Sequence, residues 1–155
     1  MDTLTHLITG AAIGEAIMGR RIGKSAMLWG ALAANAPDVD ALTGFFVGDL
    51  DALLLHRGIT HSVFVALLAG AGLGWIFSRL YGKQSGNMFP WILLFTTNWL
   101  FHEFLDTATM YGISLMLPFS DHRFAFNNIF VVDPLFTIPV GFTTLVLLEI
   151  GIAHV

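Results

Sequence analysis

Apolar segments alternate along the chain with short polar turns. Five of them have the length and composition of helices in or beside a membrane: 7–18, 25–36, 58–78, 84–101 and 134–148. The third and fourth approach or reach the roughly 20 residues that a membrane-spanning helix needs, whereas each of the first two would rise only about 18 Å. Pro139, within the last segment, predicts a kink or a late helix start. The pattern therefore predicts an all-α fold, an integral membrane helical bundle of about five helices made of two hairpins and a C-terminal helix.

The composition supports a membrane protein. Of the 155 residues, 55% are hydrophobic and only 12% are charged, against roughly 25% in a soluble domain, and the mean hydropathy is +0.75. These values exclude a disordered chain, disfavour a soluble monomer and make the lipid bilayer the expected partner. The net charge of -4 leaves no basic surface for nucleic acid, and the absence of cysteine excludes thiolate zinc ligands and thiol nucleophiles. The length allows a single domain spanning residues 1–155.

Basic residues mark the turns between the segments. Five of the seven lie in or beside the two clearest turns: Arg20, Arg21, Lys24, Arg79 and Lys83. The positive-inside rule places both turns in the cytoplasm, so we expect a protein of the inner (cytoplasmic) membrane with the opposite helix ends on the outer side. Seven histidines and aspartates lie at or near those outer ends: His6, Asp38, Asp40, His56, His61, His102 and Asp106.

The spacing of these residues predicts a common depth. His6 and Asp38 each lie 14 residues from a basic residue of the first turn, which corresponds to about 21 Å of helix. His61 and His102 lie 18 and 19 residues from a basic residue of the second turn, or about 28 Å. Within each hairpin the polar residues therefore stand at nearly equal height, and we expect the hairpins to bring them together.

Two of the motifs combine carboxylates with helix ends. His102 and Asp106 are at i and i+4 on one helix face, where they could bind one metal ion or the aspartate could orient the imidazole. Glu103 lies about 100° away around that helix and is a candidate general base. Asp38 and Asp40 are close enough to repel unless a cation or hydrogen-bond donors lie between them, although an ordinary turn with Asp40 as a cap is the alternative.

The segment from His56 to Ser62 is denser in polar residues. Thr60 is a plausible helix N-cap, which would put His61 on the first turn, and a turn at Gly58 could bring His56 to the same point. The alternative is a pair of interfacial histidines in a loop. Arg57 and Arg123 are the two basic residues outside the cytoplasmic turns. Either could bind a phosphate beside a metal site, or meet lipid headgroups instead.

Together these residues predict a metal site without cysteine. The expected ligands are His6, Asp38, Asp40, His56, His61, His102 and Asp106. Imidazole and carboxylate suit divalent Zn first, and Mn or Fe also, and the set is large enough for one or two ions. In addition, Asp40 is expected to ligate or act as a catalytic base, His56 to ligate or act as a catalytic proton carrier, and Arg57 and Arg123 to bind an anionic substrate.

These residues are compatible with three functions. The first is a membrane-bound metal-dependent hydrolase, in which metal-activated water attacks a phosphoester, or less readily a carboxyl ester or amide, of a lipid-like substrate. The second is a non-enzymatic scaffold or regulator that is stabilised by a metal and binds a protein partner. The third is transport through intramembrane acids and histidines. An enzyme needs an open coordination position, whereas a scaffold should have a closed site.

Several motifs resemble those of one family, the YdjM-type inner-membrane proteins. The matching residues are Met1-Asp2-x-x-Thr5-His6, Pro37-Asp38-x-Asp40, His56-Arg57-Gly58-x-Thr60-His61-Ser62, His102-x-x-x-Asp106, Pro118-Phe119-Ser120-x-x-Arg123-Phe124 and Asp133-Pro134-Leu135-Phe136-Thr137. The resemblance covers nearly the whole chain. It implies a helical membrane protein with a metal site and hydrolase activity. The family description also mentions binding to the LexA repressor, a protein that could reach only the cytoplasmic face.

A looser likeness connects the chain to the zinc-dependent phospholipase C and P1-type nuclease group. Those helical enzymes build a multi-zinc site from an N-terminal group, Asp, His and a His-x-x-x-Asp helix, an order that His6, Asp38, His61, His102 and Asp106 would fit. The chain lacks an N-terminal tryptophan and a later His/Glu set for a third metal. The likeness therefore implies a site for one or two metal ions rather than three.

Overall fold

The computed structural model describes residues 1–40 and 58–153, with backbone only for 83–85 and 150–153. Over these residues the chain forms five α-helices and no strand. The helices are α1 (Thr3–Ile22), α2 (Ser25–Ala34), α3 (Val63–Ser85), α4 (Phe89–Ala108) and α5 (Pro134–Ala153), with a 3₁₀ turn (Ile59–His61) just before α3. Helices α1 and α2 form one antiparallel hairpin, α3 and α4 form the other, and α5 packs against α1. The predicted all-α bundle of two hairpins and a C-terminal helix is confirmed.

Helix α1 is longer than the predicted segment at both ends. Asp2 caps its start, because its carboxylate accepts hydrogen bonds from the backbone N–H and the hydroxyl of Thr5 at 3.0 and 2.6 Å. Its end is set by Gly23, which has a φ of 59° and donates its N–H to the carbonyl of Gly19. Glu15 lowers the hydropathy of this stretch without interrupting the helix. The 20 residues rise about 30 Å, whereas α2, with 10 residues, remains short.

Glycines bring the two helices of the first hairpin into backbone contact. A Cβ atom on Gly14 would overlap the carbonyl of Ala26, and a Cβ on Gly30 would overlap the carbonyl of Gly10. Small residues allow such close approach where no hydrophobic force drives helices together. The second hairpin uses the same device, since Gly70 and Gly74 of α3 lie directly against the backbone of α4. These glycines therefore set the distance between helices in both hairpins.

An aromatic cluster joins the hairpins at the end opposite the histidines and aspartates. Trp29 of α2 lies against Phe77 and Tyr81 of α3, with ring centroids 4.7 and 5.5 Å apart. Phe77 also contacts Phe95 of α4, and Trp91, also of α4, is fully buried beside them. Large aromatic side chains bury enough area to hold two hairpins in register. Fixing this end also fixes how the polar residues meet at the other.

Asp133 caps the start of the last helix. The Asp133 side chain accepts the N–H of Leu135 at 3.0 Å, and Pro134 occupies the first helical position. Pro139 lies inside the helix, so the late start that the sequence allowed is wrong. Helix α5 contacts α1 through a hydrogen bond between the hydroxyls of Thr137 and Thr5 at 2.7 Å.

A connection between α4 and α5, which we term the cap segment (109–133), crosses the polar end of the bundle. The carbonyl of Val131 accepts the N–H of Asp2, and the carbonyl of Leu115 accepts the N–H of Val63. In addition, the N–H of Phe126 donates to the carbonyl of Thr107. These bonds tie it to the starts of α1 and α3 and to the end of α4. The cap segment thus lies at the level where the helices present their polar residues.

One helix of the described residues is long and apolar enough to cross a membrane. It is the Val63–Gly82 part of α3, with a mean hydropathy of 1.8 and only 17% of its most apolar stretch buried. The shorter apolar helices are Ser25–Ala34 and Pro134–Glu149. Helix α4 has 20 residues but carries His102, Glu103 and Asp106 in its last two turns, which lowers its hydropathy.

Candidate metal centre

Side chains from four parts of the chain meet at the polar end of the bundle. His6 comes from the second turn of α1, Asp38 from the residues after α2, His61 from the 3₁₀ turn, and His102 and Asp106 from α4. The three histidines and Asp106 are almost completely buried, and the Asp38 side chain is 24% exposed. Their ligand atoms form two overlapping groups, each within 4.8 Å, that could hold a metal ion: His6, Asp38 and His102, and His61, His102 and Asp106.

The closest set of atoms has the spacing of neighbouring ligands around one ion. The Nε2 atoms of His61 and His102 are 3.1 Å apart, and each is 3.5 Å from Oδ1 of Asp38. They are 3.8 and 3.9 Å from Oδ2 of Asp106. Two nitrogen ligands on a tetrahedral zinc with bonds of about 2.0–2.1 Å are about 3.3 Å apart. We term these four residues the ligand core.

The His102 imidazole is oriented by a backbone carbonyl. Its Nδ1 lies 2.7 Å from the carbonyl oxygen of Ala34, near the C-terminus of α2. A carbonyl oxygen only accepts, so Nδ1 carries the hydrogen and Nε2 presents its lone pair to the ligand core. This is the arrangement that fixes the tautomer of a metal-ligating histidine.

The His61 imidazole is oriented by Thr60 and Asp40. The Thr60 hydroxyl donates its single hydrogen to Oδ2 of Asp40, so its oxygen is left to accept the Nδ1 hydrogen of His61 at 3.1 Å. Oδ2 of Asp40 itself lies 3.4 Å from that Nδ1. The Nε2 lone pairs of His61 and His102 therefore face each other at 3.1 Å, and such a pair repels unless a cation or a proton lies between them.

The 3₁₀ turn is held against α4 by an indole. Trp99, one turn before His102, donates its Nε1 hydrogen to the carbonyl of Thr60 at 3.0 Å. Ser62 rather than Thr60 is the N-cap of α3, since its hydroxyl accepts the N–H of Phe64. The predicted cap at Thr60 is therefore wrong, and His61 precedes the helix instead of lying on its first turn. This two-residue difference leaves the Thr60 hydroxyl available to orient His61.

His6 lies beside His102 and Asp106, and it forms one of the two possible metal-binding groups with Asp38 and His102. Its ring stacks on that of His102 with centroids 3.8 Å apart, and its Nε2 is 3.2 Å from Oδ1 of Asp106. The α-amino group of Met1 contacts the same Oδ1. Asp106 thus offers one oxygen to the ligand core and the other to His6. A carboxylate in this position can bridge two cations, and the shared His102 and Asp106 allow one or two ions.

Three carboxylates surround the His61 imidazole, those of Asp38, Asp40 and Asp106. Burial on its own lowers the pKa of His61, but hydrogen bonds and the negative charges of Asp38 and Asp40 outweigh burial and raise that pKa above its ordinary value. The same carboxylates that favour an added proton favour a metal cation. The Met1 α-amino group offsets the charge of Asp106, and the two remaining carboxylates, Asp38 and Asp40, would be costly beside buried imidazoles without a further positive charge.

The structure does not place every predicted site residue in this cluster. His56 and Arg57 fall outside the described residues. Arg123 is exposed on the cap segment and forms no ion pair with any carboxylate of residues 1–40 or 58–153. Glu103 is 1% exposed, and neither of its carboxylate oxygens has a hydrogen-bond partner within residues 1–40 and 58–153. It lies outside both ligand groups, so its proposed role as a base stays a prediction.

Two orienting contacts could not be read from the motifs. The Ala34 carbonyl is a backbone group, and nothing in the identity of an alanine indicates that its oxygen holds an imidazole. Thr60 is polar and adjacent to His61, but its position before an apolar segment also fits a helix N-cap. The signal that could have identified its role is the Thr-His-Ser order, in which the following Ser62 is an equally good cap.

Replacing Thr60 with valine is expected to weaken metal binding without removing a ligand. The change keeps the side-chain shape but deletes the hydroxyl that holds His61 and Asp40 in place. Loss of such an orienting contact typically lowers metal affinity about 10–100-fold. The measurement is competition against a chromophoric chelator in detergent. Thr143→Val is the matched control, because among the described residues that hydroxyl bonds only to the carbonyl of Pro139 in its own helix. Equal affinities of the two variants would contradict the orienting role.

The fold and this cluster define a helical membrane protein with a buried set of His and Asp side chains that could hold a metal ion. The chain matches the family described as YdjM inner membrane protein over residues 1–154, and it belongs to that family. It is similar to inner membrane protein YbcI of Escherichia coli (strain K12), with 29% identity over 123 residues that cover 78% of this chain and 69% of the relative. No solved structure matches the chain.

Proposed function

We propose that the protein is a membrane-bound metal-dependent hydrolase that cleaves a phosphoester of a lipid-like or other membrane-accessible substrate. The observation that supports this most is the pair of Nε2 atoms 3.1 Å apart, each with its Nδ1 hydrogen committed to another acceptor. The carboxylates of Asp38 and Asp106 add oxygen ligands next to these two nitrogen ligands. Such a set suits Zn²⁺ first, with Mn²⁺ or Fe²⁺ as alternatives.

The ligand core would hold the ion, and His6 could join it at a second position. A divalent ion bound there supplies a Lewis acid for a phosphoryl oxygen and lowers the pKa of water. The chain's own side chains would orient the metal ligands and neutralise the charge of the ion. Asp40, within 3.4 Å of the His61 Nδ1, would hold that imidazole or accept a proton. His56 is proposed as a further ligand or proton carrier.

Substrate access favours the Asp38 side of the cluster. Asp38 is 24% exposed, whereas His61, His102 and Asp106 are at most 1% exposed, so an incoming oxygen would reach the core past Asp38. Arg57 and Arg123 are proposed to bind the anionic group, and the Arg123 guanidinium is exposed. Guanidinium and phosphate form strong bidentate hydrogen bonds.

The depth of the cluster supports a lipid-like substrate. His61 lies two residues before Val63, where the candidate membrane span begins. The 20 residues of that span rise about 30 Å, which equals the thickness of the hydrocarbon core. The cluster would therefore stand at the level of lipid headgroups, where phosphoesters lie.

Hydrolysis by the full chain in lipid nanodiscs tests this function. The protein is stripped with chelator, reloaded separately with Zn²⁺, Mn²⁺ and Fe²⁺, and offered bis(p-nitrophenyl) phosphate, phosphatidylglycerol and phosphatidic acid, with p-nitrophenyl butyrate as the carboxyl ester. We expect metal-dependent release from a phosphoester that His102→Ala protein does not show. Stoichiometric metal without turnover of any of these probes would contradict the enzyme and support the scaffold or regulator, with a protein partner on the cytoplasmic face.

The cluster is proposed to face the outer side of the inner membrane. The chain contains no cysteine, and Asp121 is exposed on the cap segment. A single cysteine introduced there therefore shows on which side of the membrane the cap segment lies. Asp121→Cys is expected to react with a membrane-impermeant maleimide in intact spheroplasts, because the basic turns should stay in the cytoplasm. Ser25→Cys, next to the basic turn, is the control and should react only after lysis. The reverse result would invert the orientation.

A further inference from the structure

The cap segment carries large exposed apolar side chains at the polar end of the bundle. Phe119 is 79% exposed, Phe130 is 74% exposed and Val132 is 68% exposed. Contiguous exposed apolar surface of this kind marks contact with a membrane or another protein. The segment nevertheless holds a fixed position, because backbone hydrogen bonds tie it to α1, α3 and α4.

This surface continues the outward face of the candidate membrane span. Phe64, in the first turn of α3, packs edge-on against Phe119 with ring centroids 5.0 Å apart. One turn further along α3, Leu68 is 76% exposed. The lipid-facing surface of α3 therefore passes through Phe64 directly onto Phe119 of the cap segment without an intervening polar residue.

The same continuity exists on α5. Phe130 and Val132 precede the helix, and Leu135, at its second position, is 88% exposed. Ile138 and Phe142, at the following helical intervals on that side, are 67% and 69% exposed. The exposed apolar residues of the cap segment thus extend an apolar helix surface at each of its two places, in a chain of an inner membrane protein family.

The hydrogen bonds of the cap segment also fix its depth. The Val63 N–H donates to the carbonyl of Leu115, and the Ser62 hydroxyl donates to the carbonyl of Leu117. Val63 is the first residue of a span about as long as the hydrocarbon core is thick. The 115–119 part of the cap segment therefore lies at the boundary between hydrocarbon and headgroups. Its neighbouring residues Ser120 to Arg123 are exposed and polar, as suits the headgroup layer.

We propose that the cap segment is immersed in the leaflet on its own side, with Phe119 and Phe130 inserted among the lipids and 120–123 among the headgroups. The occupant of this surface is lipid, because both apolar helix faces that it extends face lipid. The proposal concerns a membrane-contact surface and does not depend on hydrolysis or on a bound metal. It means that the cluster beneath the cap segment is bordered by lipid rather than by open water.

Spin labels on the cysteine-free chain test the proposal in nanodiscs of phosphatidylethanolamine and phosphatidylglycerol. Single labels are placed at Phe119→Cys, Phe130→Cys and, as the matched control on the same segment, Asp121→Cys. Leu68→Cys gives the lipid reference. We expect the ratio of oxygen to nickel-chelate accessibility at 119 and 130 to approach that at 68, and to exceed the ratio at 121 severalfold.

Two results would overturn the proposal. Nickel-chelate accessibility at 119 and 130 equal to that at 121 would place the cap segment in water. Low accessibility to both reagents, with dipolar broadening between labels, would mean that a second copy of the chain covers the surface. Phe130 makes no ring contact in the part of the chain the structure describes. The Phe130→Cys label therefore still tests the proposal if Phe119→Cys folds poorly because the Phe64–Phe119 contact is lost.

Discussion

Gly14→Leu is expected to separate α1 from α2 and to leave little folded protein. A Cβ at this position would overlap the Ala26 carbonyl and meet the Cα of Gly30, and both are backbone atoms that cannot move aside as a side chain does. Overpacking of a tight interface costs about 1–3 kcal/mol, occasionally more, and most proteins have only about 5–15 kcal/mol of stability. We expect a drop in the midpoint of thermal aggregation measured by size-exclusion chromatography in detergent.

The chain supplies a matched control for this substitution. A Cβ on Gly72 of α3 would meet no atom of the described residues within 4 Å, so Gly72→Leu makes the same change in a helix where these residues leave room for it. Gly72→Leu is expected to keep the wild-type midpoint. If both variants behaved alike, the close approach of α1 and α2 would not be a source of stability. Since α2 carries the Ala34 carbonyl that orients His102, Gly14→Leu should also weaken metal binding in whatever protein remains folded.

His61→Ala is expected to lower metal affinity by well over the roughly 10–100-fold that loss of an orienting residue costs. It removes an Nε2 atom that is 3.1 Å from the corresponding atom of His102 and 3.5 Å from Asp38. His6, the other imidazole close to His102, would not restore this pair, because its ring stacks on that of His102 and its Nε2 lies 3.2 Å from Oδ1 of Asp106. Affinity is measured by chelator competition on the purified protein. Under the proposed function, phosphoester hydrolysis falls with it.

His122→Ala serves as the control for removal of an imidazole. His122 is exposed on the cap segment and contacts the ring of Phe124 rather than the cluster. Its loss should leave both the metal affinity and any hydrolysis unchanged. An equal effect of the two substitutions would point to a general loss of folding, and an unchanged affinity in His61→Ala would remove His61 from the ligand core.

The sequence predicted the architecture well because helix geometry is regular. A rise of 1.5 Å per residue converts the distance between Lys83 and His102 into a height, and charged turns give the heights a common origin. The convergence of His6, Asp38, His61, His102 and Asp106 at one end follows from that arithmetic. The structure adds which atoms face each other, something that spacing alone does not contain.

The parts that the sequence did not predict depend on contacts between distant segments. Thr60 and Ser62 are both good caps, and the observed cap at Ser62 is accompanied by hydrogen bonds from Trp99 to the Thr60 carbonyl and from Ser62 to the Leu117 carbonyl. The role of Ala34 depends on a backbone oxygen. The position of Arg123 depends on the course of a 25-residue connection whose hydrogen bonds join three helices. Local patterns carry no information about such contacts.

The difference between α3 and α4 has a physical cause as well. Both have the length of a membrane span, yet only α3 has the composition of one. Helix α4 is the inner member of the second hairpin, so its polar groups are turned toward the other helices. Twelve of its 20 residues are buried, including His102 and Asp106. A helix enclosed by others can carry buried polar groups that a lipid-facing helix cannot.

Metal content of the purified protein tests the central claim most directly. Wild-type protein and His102→Ala protein, prepared in parallel in detergent without added chelator, are analysed by inductively coupled plasma mass spectrometry, with His122→Ala as the control. The account predicts one or two equivalents of a divalent metal, most readily zinc, in the wild type and in His122→Ala, and none in His102→Ala of the same folded yield. Folded wild-type protein that neither contains nor takes up a divalent metal would contradict it.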